Sequence, residues 1–204
     1  MLPRPFSVYK ADPVTGEITL LIEIKGRGTS LLAGARPGTA LELLGPLGTG
    51  FPVPPPGSLL VAGGVGIAPL ALLAASTSGS QTMLYCARTV DMLFCPRSDL
   101  ERPGLNIIEA TDDGSRGIKG SAADILPRWV KEAKAVFACG PRPMLAAVKT
   151  ICLEAGVGAW LSLEERMACG IGACLGCVTL TTRGYRRVCR DGPVFAAEEV
   201  IFDE

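Results

Sequence analysis

The chain has 204 residues, room for one or two domains, and its 48% hydrophobic and 20% charged side chains are those of a globular protein with a sizeable core. Twenty basic residues balance twenty acidic ones, so neither a nucleic-acid surface nor a polybasic membrane patch is expected. Histidine is absent, which removes Cys/His zinc sites, Ser-His-Asp triads and every imidazole acid or base.

The opening MLPRPFSVYKAD lacks the apolar core of a secretory signal, so a cytoplasmic, reducing compartment is expected. Residues 1–55 read as strands: PFSVYKAD, EITLLIEIK and TALELLGPLG. The turn DPVTGE, with Pro13 and Gly16, joins the first two. VPPPG then forms a stiff linker. Residues 43–87 carry no charged side chain, yet Gly63, Gly64, Gly66 and Pro69 interrupt the run. A buried strand, a glycine turn and a buried helix fit it better than a membrane span.

Residues 56–163 alternate strand and helix. Strands are predicted at 58–63, 82–87, 105–110, 134–139 and 158–163, with the clearest helices at 67–77, 121–132 and 142–155. Such alternation means a doubly wound parallel sheet, whose ligands lie at the carboxyl ends of the strands. Residues 164–204 are rich in Gly and Cys and too poor in apolar residues for a core of their own, so a metal or cluster is expected to organise them. The fold class is therefore α/β plus β.

AGGVGIAPL, residues 62–70, follows a strand and opens a helix. Its glycines let the backbone approach a pyrophosphate, although Pro69 departs from the dinucleotide fingerprint and a ligand-free tight turn is the other reading. ACGPRPM, residues 138–144, is a second strand-to-helix junction, where Cys139 and Gly140 could pack on a nicotinamide ring or form an ordinary helix start. RPFSVY offers an arginine for a diphosphate and an aromatic for a flat ring, and GRGTS adds phosphate donors. In isolation both also read as a surface strand and loop.

The strongest signal is Cys169-x4-Cys174-x2-Cys177-x11-Cys189. It is the plant-type [2Fe–2S] spacing. Structural zinc prefers two C-x2-4-C pairs, and the last cysteine here is single. Zinc and unliganded thiols are the remaining readings. Cys86, Cys95 and Cys152 have no partners in the pattern and read as core thiols.

Taken together, RPFSVY, GRGTSLL, LLGPLGTGF, AGGVGIAPL, TDDGSRGIKG, ACGPRPML, SLEERMACGIGACLGC and RRVCRDGPVF resemble the electron-transfer subunits of NAD-linked dihydroorotate dehydrogenase, in the ferredoxin-reductase superfamily. The resemblance implies a flavin-binding β-barrel at 1–55, a ferredoxin-reductase-like NAD domain at 56–163 and a [2Fe–2S] domain at 164–204. It implies that Arg4, Pro5, Phe6 and Ser7 hold FAD, that Leu21, Ile22 and Glu23 pass beside it on the next strand, and that Gly28 and Thr29 bind its diphosphate. Gly63, Gly64 and Gly66 would cradle NAD. Cys139 and Gly140 would face the nicotinamide, and Cys169, Cys174, Cys177 and Cys189 would ligate the cluster.

One departure stands out. Members of this family have several barrel strands before the Arg-Pro-x-Ser motif, where only Met1, Leu2 and Pro3 stand here, so a partial barrel with open edges is expected. The implied partner is a catalytic, FMN-containing dihydroorotate dehydrogenase subunit, in a heterotetramer of two copies of each. The rival readings are a flavin and iron–sulfur subunit of an NAD(P)H–ferredoxin or sulfur oxidoreductase, and a non-catalytic, zinc-stabilised interaction module. Arg88 could meet a 2′-phosphate or stand in solvent, so NAD and NADP both remain open.

Overall fold

The computed structural model describes residues 3–202; Met1 and Leu2, counted above ahead of the Arg-Pro-x-Ser motif, lie outside the described residues. At its centre is a seven-stranded sheet. Five parallel strands form its body: β3 (Ser58–Gly63), β4 (Gln81–Ala87), β5 (Leu105–Thr111), β7 (Val136–Cys139) and β8 (Ala159–Ser162). A two-residue strand, β6 (Ile118–Lys119), and an antiparallel one, β11 (Val194–Ala196), close the ends, in the order β11-β8-β7-β3-β4-β5-β6.

The central strand shows why the sheet must be covered twice. Every residue of SLLVAG in β3 is buried. Alternate side chains feed opposite cores. Leu59 and Val61 join one core with α3 (Ala122–Ile125) and α4 (Arg142–Ala155), while Leu60 and Ala62 join the other with α2 (Ile67–Ala75). The chain runs from β3 outward through β4 and β5, then returns to place β7 on the opposite side of β3. Order therefore reverses between β3 and β7, and a crevice opens beyond the ends of those two strands.

α4 keeps its predicted bounds, with Gly156 left-handed at its C-terminus (φ 69°). The helix expected at 121–132 breaks up. Ser121 caps α3 by accepting from the Asp124 amide, and single 3-10 turns at Leu126–Arg128 and Val130–Glu132 follow. Pro127 sits in the first of these, where its ring cannot extend an α-helix.

The N-terminal region departs furthest from expectation. Its ordered sheet is a two-stranded hairpin, β1 (Val8–Asp12) with β2 (Glu17–Leu20), followed by α1 (Arg27–Ala33). Arg4–Ser7 precede β1 and Leu21–Glu23 follow β2, so neither group lies on a paired strand as expected. TALELLGPLG forms no strand either; Leu41, Leu43 and Leu44 stand exposed, and apolar alternation yields a strand only where a partner strand supplies hydrogen bonds. One bridge, Thr49 to Pro193, ties this stretch to the C-terminal segment.

That C-terminal segment does not rely on a cluster alone. A hairpin of β9 (Val178–Thr181) and β10 (Gly184–Arg187) leads into α5 (Val188–Asp191) and then β11. Val188, Phe195, Ala197 and Val200 are buried in the same core as α4 and β8. The main sheet thus supplies the apolar cover that the segment lacks by itself.

Candidate redox site

The cysteine loop is built by backbone geometry. Gly170 and Gly172 take positive φ (72° and 81°), and so does Leu175 (57°), so the chain turns sharply between the sulfurs. A side chain at Gly172 would also strike Arg190, since a Cβ there would lie 2.8 Å from its Cδ. Turned this way, amides point at sulfur: Gly172 N–H donates to Cys189 Sγ (3.1 Å), Cys174 N–H to Cys169 Sγ (3.4 Å) and Cys189 N–H to Cys177 Sγ (3.4 Å). Amides aimed at sulfur favour thiolate over thiol.

The four thiols divide into two pairs. Cys174 meets Cys169 and Cys177 meets Cys189, side chain to side chain. Among the described residues no three of them converge on one point. Two pairs are the donor set of a two-iron centre, in which each iron takes two thiolates. The pairs also differ in exposure. Cys177 and Cys189 are buried in the core, Cys169 is half-buried and Cys174 is exposed. One pair therefore faces the protein and the other faces solvent.

Their acidities follow. Amide donors, Cys174 N–H first, lower the Cys169 thiol to about 6, whereas burial and then Cys177 push Cys189 up to about 11. In the metal-free chain at pH 7 the Cys169 side chain would be mostly thiolate. Alkylation by iodoacetamide is expected to mark Cys169 first, with a rate that is half-maximal near pH 6 and falls as pH drops below it. Peptide mapping after brief labelling checks this, and prior labelling of Cys189 would refute it.

Arg187 holds the loop closed. It spans from the Gly172 carbonyl (Nη1, 3.3 Å) to the Asp191 carboxylate (Nε, 3.2 Å), and Asp191 also accepts from the Arg187 amide (2.9 Å). The pairing keeps α5, and so Cys189, beside Cys177. Sequence reading missed both residues, although Arg187 and Asp191 stand four apart, a spacing that pairs on a helical turn.

The two strand-to-helix junctions meet in the crevice between β3 and β7. A Cβ on Gly66 would lie 2.2 Å from the Cys139 carbonyl oxygen, and one on Gly63 would lie 2.8 Å from Pro141 Cδ. One on Gly140 would approach Gly63 Cα at 3.0 Å. These glycines let two turns pack backbone to backbone. Gly64 differs: its φ is +53° and the nearest neighbour of a Cβ there would be Phe94, at 3.7 Å, so its surroundings are open enough for a ligand. Cys139 ends β7 half-buried, and desolvation pushes its thiol up to about 12 despite a hydrogen bond with Ser162. It is a neutral packing surface at physiological pH and no nucleophile.

A cleft of about 570 Å³ opens beside this junction, within the usual range of small-molecule sites. Arg4 and Pro5 line one side, Gly140, Pro141 and Arg142 another, and Leu163–Met167 a third. The flavin-type motif, the second junction and the approach to Cys169 thus share one cavity. Arg4 also lies along Gly28, where a Cβ would meet its Nε at 3.1 Å. Thr29 closes the Gly26 turn, accepting from the Lys25 and Gly26 amides at 2.9 and 3.1 Å. Of the expected site residues, Arg4, Pro5 and Gly140 alone line the cleft, and Glu23 pairs with Lys25 at 2.9 Å.

Residues 164–201 match the family model of the iron-sulfur cluster binding domain of dihydroorotate dehydrogenase B. The chain is 40% identical over 207 residues to a "Dihydroorotate dehydrogenase B (NAD(+)), electron transfer subunit" of Caldanaerobacter subterraneus subsp. tengcongensis, covering 98% of this chain and 81% of the relative. The chain belongs to the family of dihydroorotate dehydrogenase B electron transfer subunits. A second member, from Desulforamulus reducens, is 37% identical over 100% of this chain and 81% of its own length. A chain from the structure of an NADH-dependent reduced ferredoxin-NADP oxidoreductase superposes with a TM-score of 0.87 at 30% identity, over 97% of this chain and 74% of that one. The fold is therefore ferredoxin-reductase-like, with an iron–sulfur domain carried on a mixed sheet. Membership replaces the zinc-stabilised module, and identity to the family exceeds identity to the ferredoxin-NADP protein. Among the described residues no helix is long and apolar enough to cross a membrane.

Proposed function

We propose that this chain relays electrons from dihydroorotate oxidation, carried out by a catalytic FMN-containing partner, through a [2Fe–2S] cluster and FAD to NAD⁺ in pyrimidine biosynthesis. The carrying observation is the shared cleft, where Arg4, Gly140 and the segment leading to Cys169 come together. FAD exchanges electrons singly with iron–sulfur centres and in pairs, as hydride, with NAD.

The residues have distinct tasks in this reading. Cys169, Cys174, Cys177 and Cys189 hold the cluster, and Arg187 with Asp191 keeps the buried pair in place. The exposed side of the loop, at Cys174, would meet the partner. Arg4, Pro5, Phe6, Ser7, Leu21, Ile22, Glu23, Gly28 and Thr29 form the flavin side. Arg4 brings positive charge to the diphosphate, and Gly28 admits it to the turn. Gly63, Gly64, Gly66 and Gly140 shape the nucleotide turn, with the neutral Cys139 beside the nicotinamide position. No side chain here needs to move a proton, which suits a chain without histidine. The assignment divides the chain at 1–55, 56–163 and 164–204, with two copies paired to two catalytic subunits in the cytoplasm.

An anaerobic absorption spectrum of the purified chain, with iron, sulfide and flavin assayed on the same sample, tests this. Two irons, two sulfides and one flavin per chain are expected. A colourless protein would overturn the reading. Cluster without flavin would leave the electron port standing and remove the flavin assignment.

A further inference from the structure

A second polar group sits away from the redox cleft, between the flavin-side hairpin and the nucleotide domain. Tyr9, on β1, is buried against α2 and turns its hydroxyl toward the segment between β4 and β5. That hydroxyl lies 3.0 Å from Asp99 Oδ2 and 2.8 Å from Cys95 Sγ. Lys10 adds an ion pair to the same carboxylate oxygen at 2.8 Å. The phenol has one proton, and the carboxylate can only accept it, so the Cys95 thiol donates to the phenol oxygen. Behind Cys95, its own amide donates to the hydroxyl of fully buried Tyr85 (3.2 Å). Cys95 is therefore held from both sides.

The next residue back along the chain is Phe94. Its ring edge would be the nearest neighbour of a Cβ at Gly64, the open glycine of the nucleotide turn, at 3.7 Å. A fixed Cys95 fixes Phe94, and Phe94 borders the space over that turn.

We infer that Tyr9, Cys95 and Asp99 form a latch that sets Phe94 over the Gly63–Gly66 turn and so ties nucleotide binding to the strand that follows the flavin motif. Tyr9 is a positioning residue acting through Cys95 and Phe94. The inference rests on nucleotide binding at this turn, as in the function proposed above. It gives the hairpin a role besides carrying flavin contacts: its docking shapes the nucleotide entrance.

The test uses the complex with its catalytic partner and bound flavin, assayed for NADH oxidation with a one-electron dye. Tyr9→Phe keeps the ring and removes the hydroxyl. Loss of that hydrogen-bond pair is expected to raise KM for NADH about three- to ten-fold. The kcat should stay within about two-fold, as for a lost binding contribution. Phe94→Ala should raise KM as well, and the double variant should match Phe94→Ala alone, because both act on one contact. Asp99→Asn, which keeps an acceptor but loses the charge, should show the same shift in smaller measure. An unchanged KM in Tyr9→Phe, or a double variant whose effect is the product of the singles, overturns the latch. Gly64→Ala separates the two ideas. If it raises KM while Tyr9→Phe does not, only the latch fails; if neither changes KM, nucleotide binding at this turn fails and the latch falls with it.

Discussion

Replacing Cys174 with serine is expected to lower dihydroorotate-driven NAD⁺ reduction by about 100-fold or more, since even outer-sphere changes at metal centres cost 10–100-fold. Exchange between NADH and flavin should persist, because the function proposed above places it in the cleft bordered by Arg4 and Gly140, apart from Cys174. The exposed position of Cys174 makes the result interpretable: its loss opens no core cavity. Cys189→Ser offers the contrast. Cys189 is buried in the core that also holds Val188, Phe195 and residues of α4, so a hydroxyl there should cost about 1–3 kcal/mol of stability in addition to the relay. Steady-state turnover of the complex and dye-linked NADH oxidation, measured on the same preparations, separate the two half-reactions. Partner-linked turnover that survives Cys174→Ser would end the relay account.

Gly66→Ala is expected to damage the fold itself. Its Cβ would sit 2.2 Å from the Cys139 carbonyl oxygen and 2.5 Å from the carbonyl carbon, both backbone atoms that cannot swing aside. Relief requires β3 and β7 to part at the crevice. The cost should be about 3 kcal/mol, a fall in Tm of about 6–12 °C for a chain of this size. Gly64→Ala meets nothing closer than Phe94 at 3.7 Å and bears only the strain of a positive φ, about 1–2 kcal/mol. Thermal unfolding of the two variants should therefore rank them clearly, with Gly66→Ala the worse. Equal melting temperatures would mean that the two turns are not packed as described.

Sequence pattern captured what is local. The five parallel strands and the helix at 142–155 were readable because each is a continuous apolar run or a 3.6-residue repeat between clear breakers. The cysteine pattern was readable because it lies within 21 residues of chain, from 169 to 189. What depends on distant partners was not. TALELLGPLG alternates like a strand but has none beside it among the described residues. β11 is three residues long and is defined only by its pairing with β8. The cleft gathers residues 4–5, 140–142, 145 and 163–167, and no local pattern announces that meeting. The glycines of AGGVGIAPL were legible as a turn, but the reason for Gly66 lies in Cys139, far along the chain.

β11 has a consequence for how electrons would travel. Its pairing with β8, through Val194 to Ser162 and Ala196 to Trp160, fastens the chain just after Cys189 to the main sheet, so the cysteine segment is anchored there and is not a tethered arm. The Ala197 amide, bonded to the Ala159 carbonyl at 2.8 Å, extends the weld. A cluster held by Cys177 and Cys189 would then keep a constant place against the sheet, so transfer through it would be indifferent to solvent viscosity. The anchorage also makes the loop inseparable from the rest: cutting it away would bare β8 as a sheet edge, and a bared edge invites aggregation.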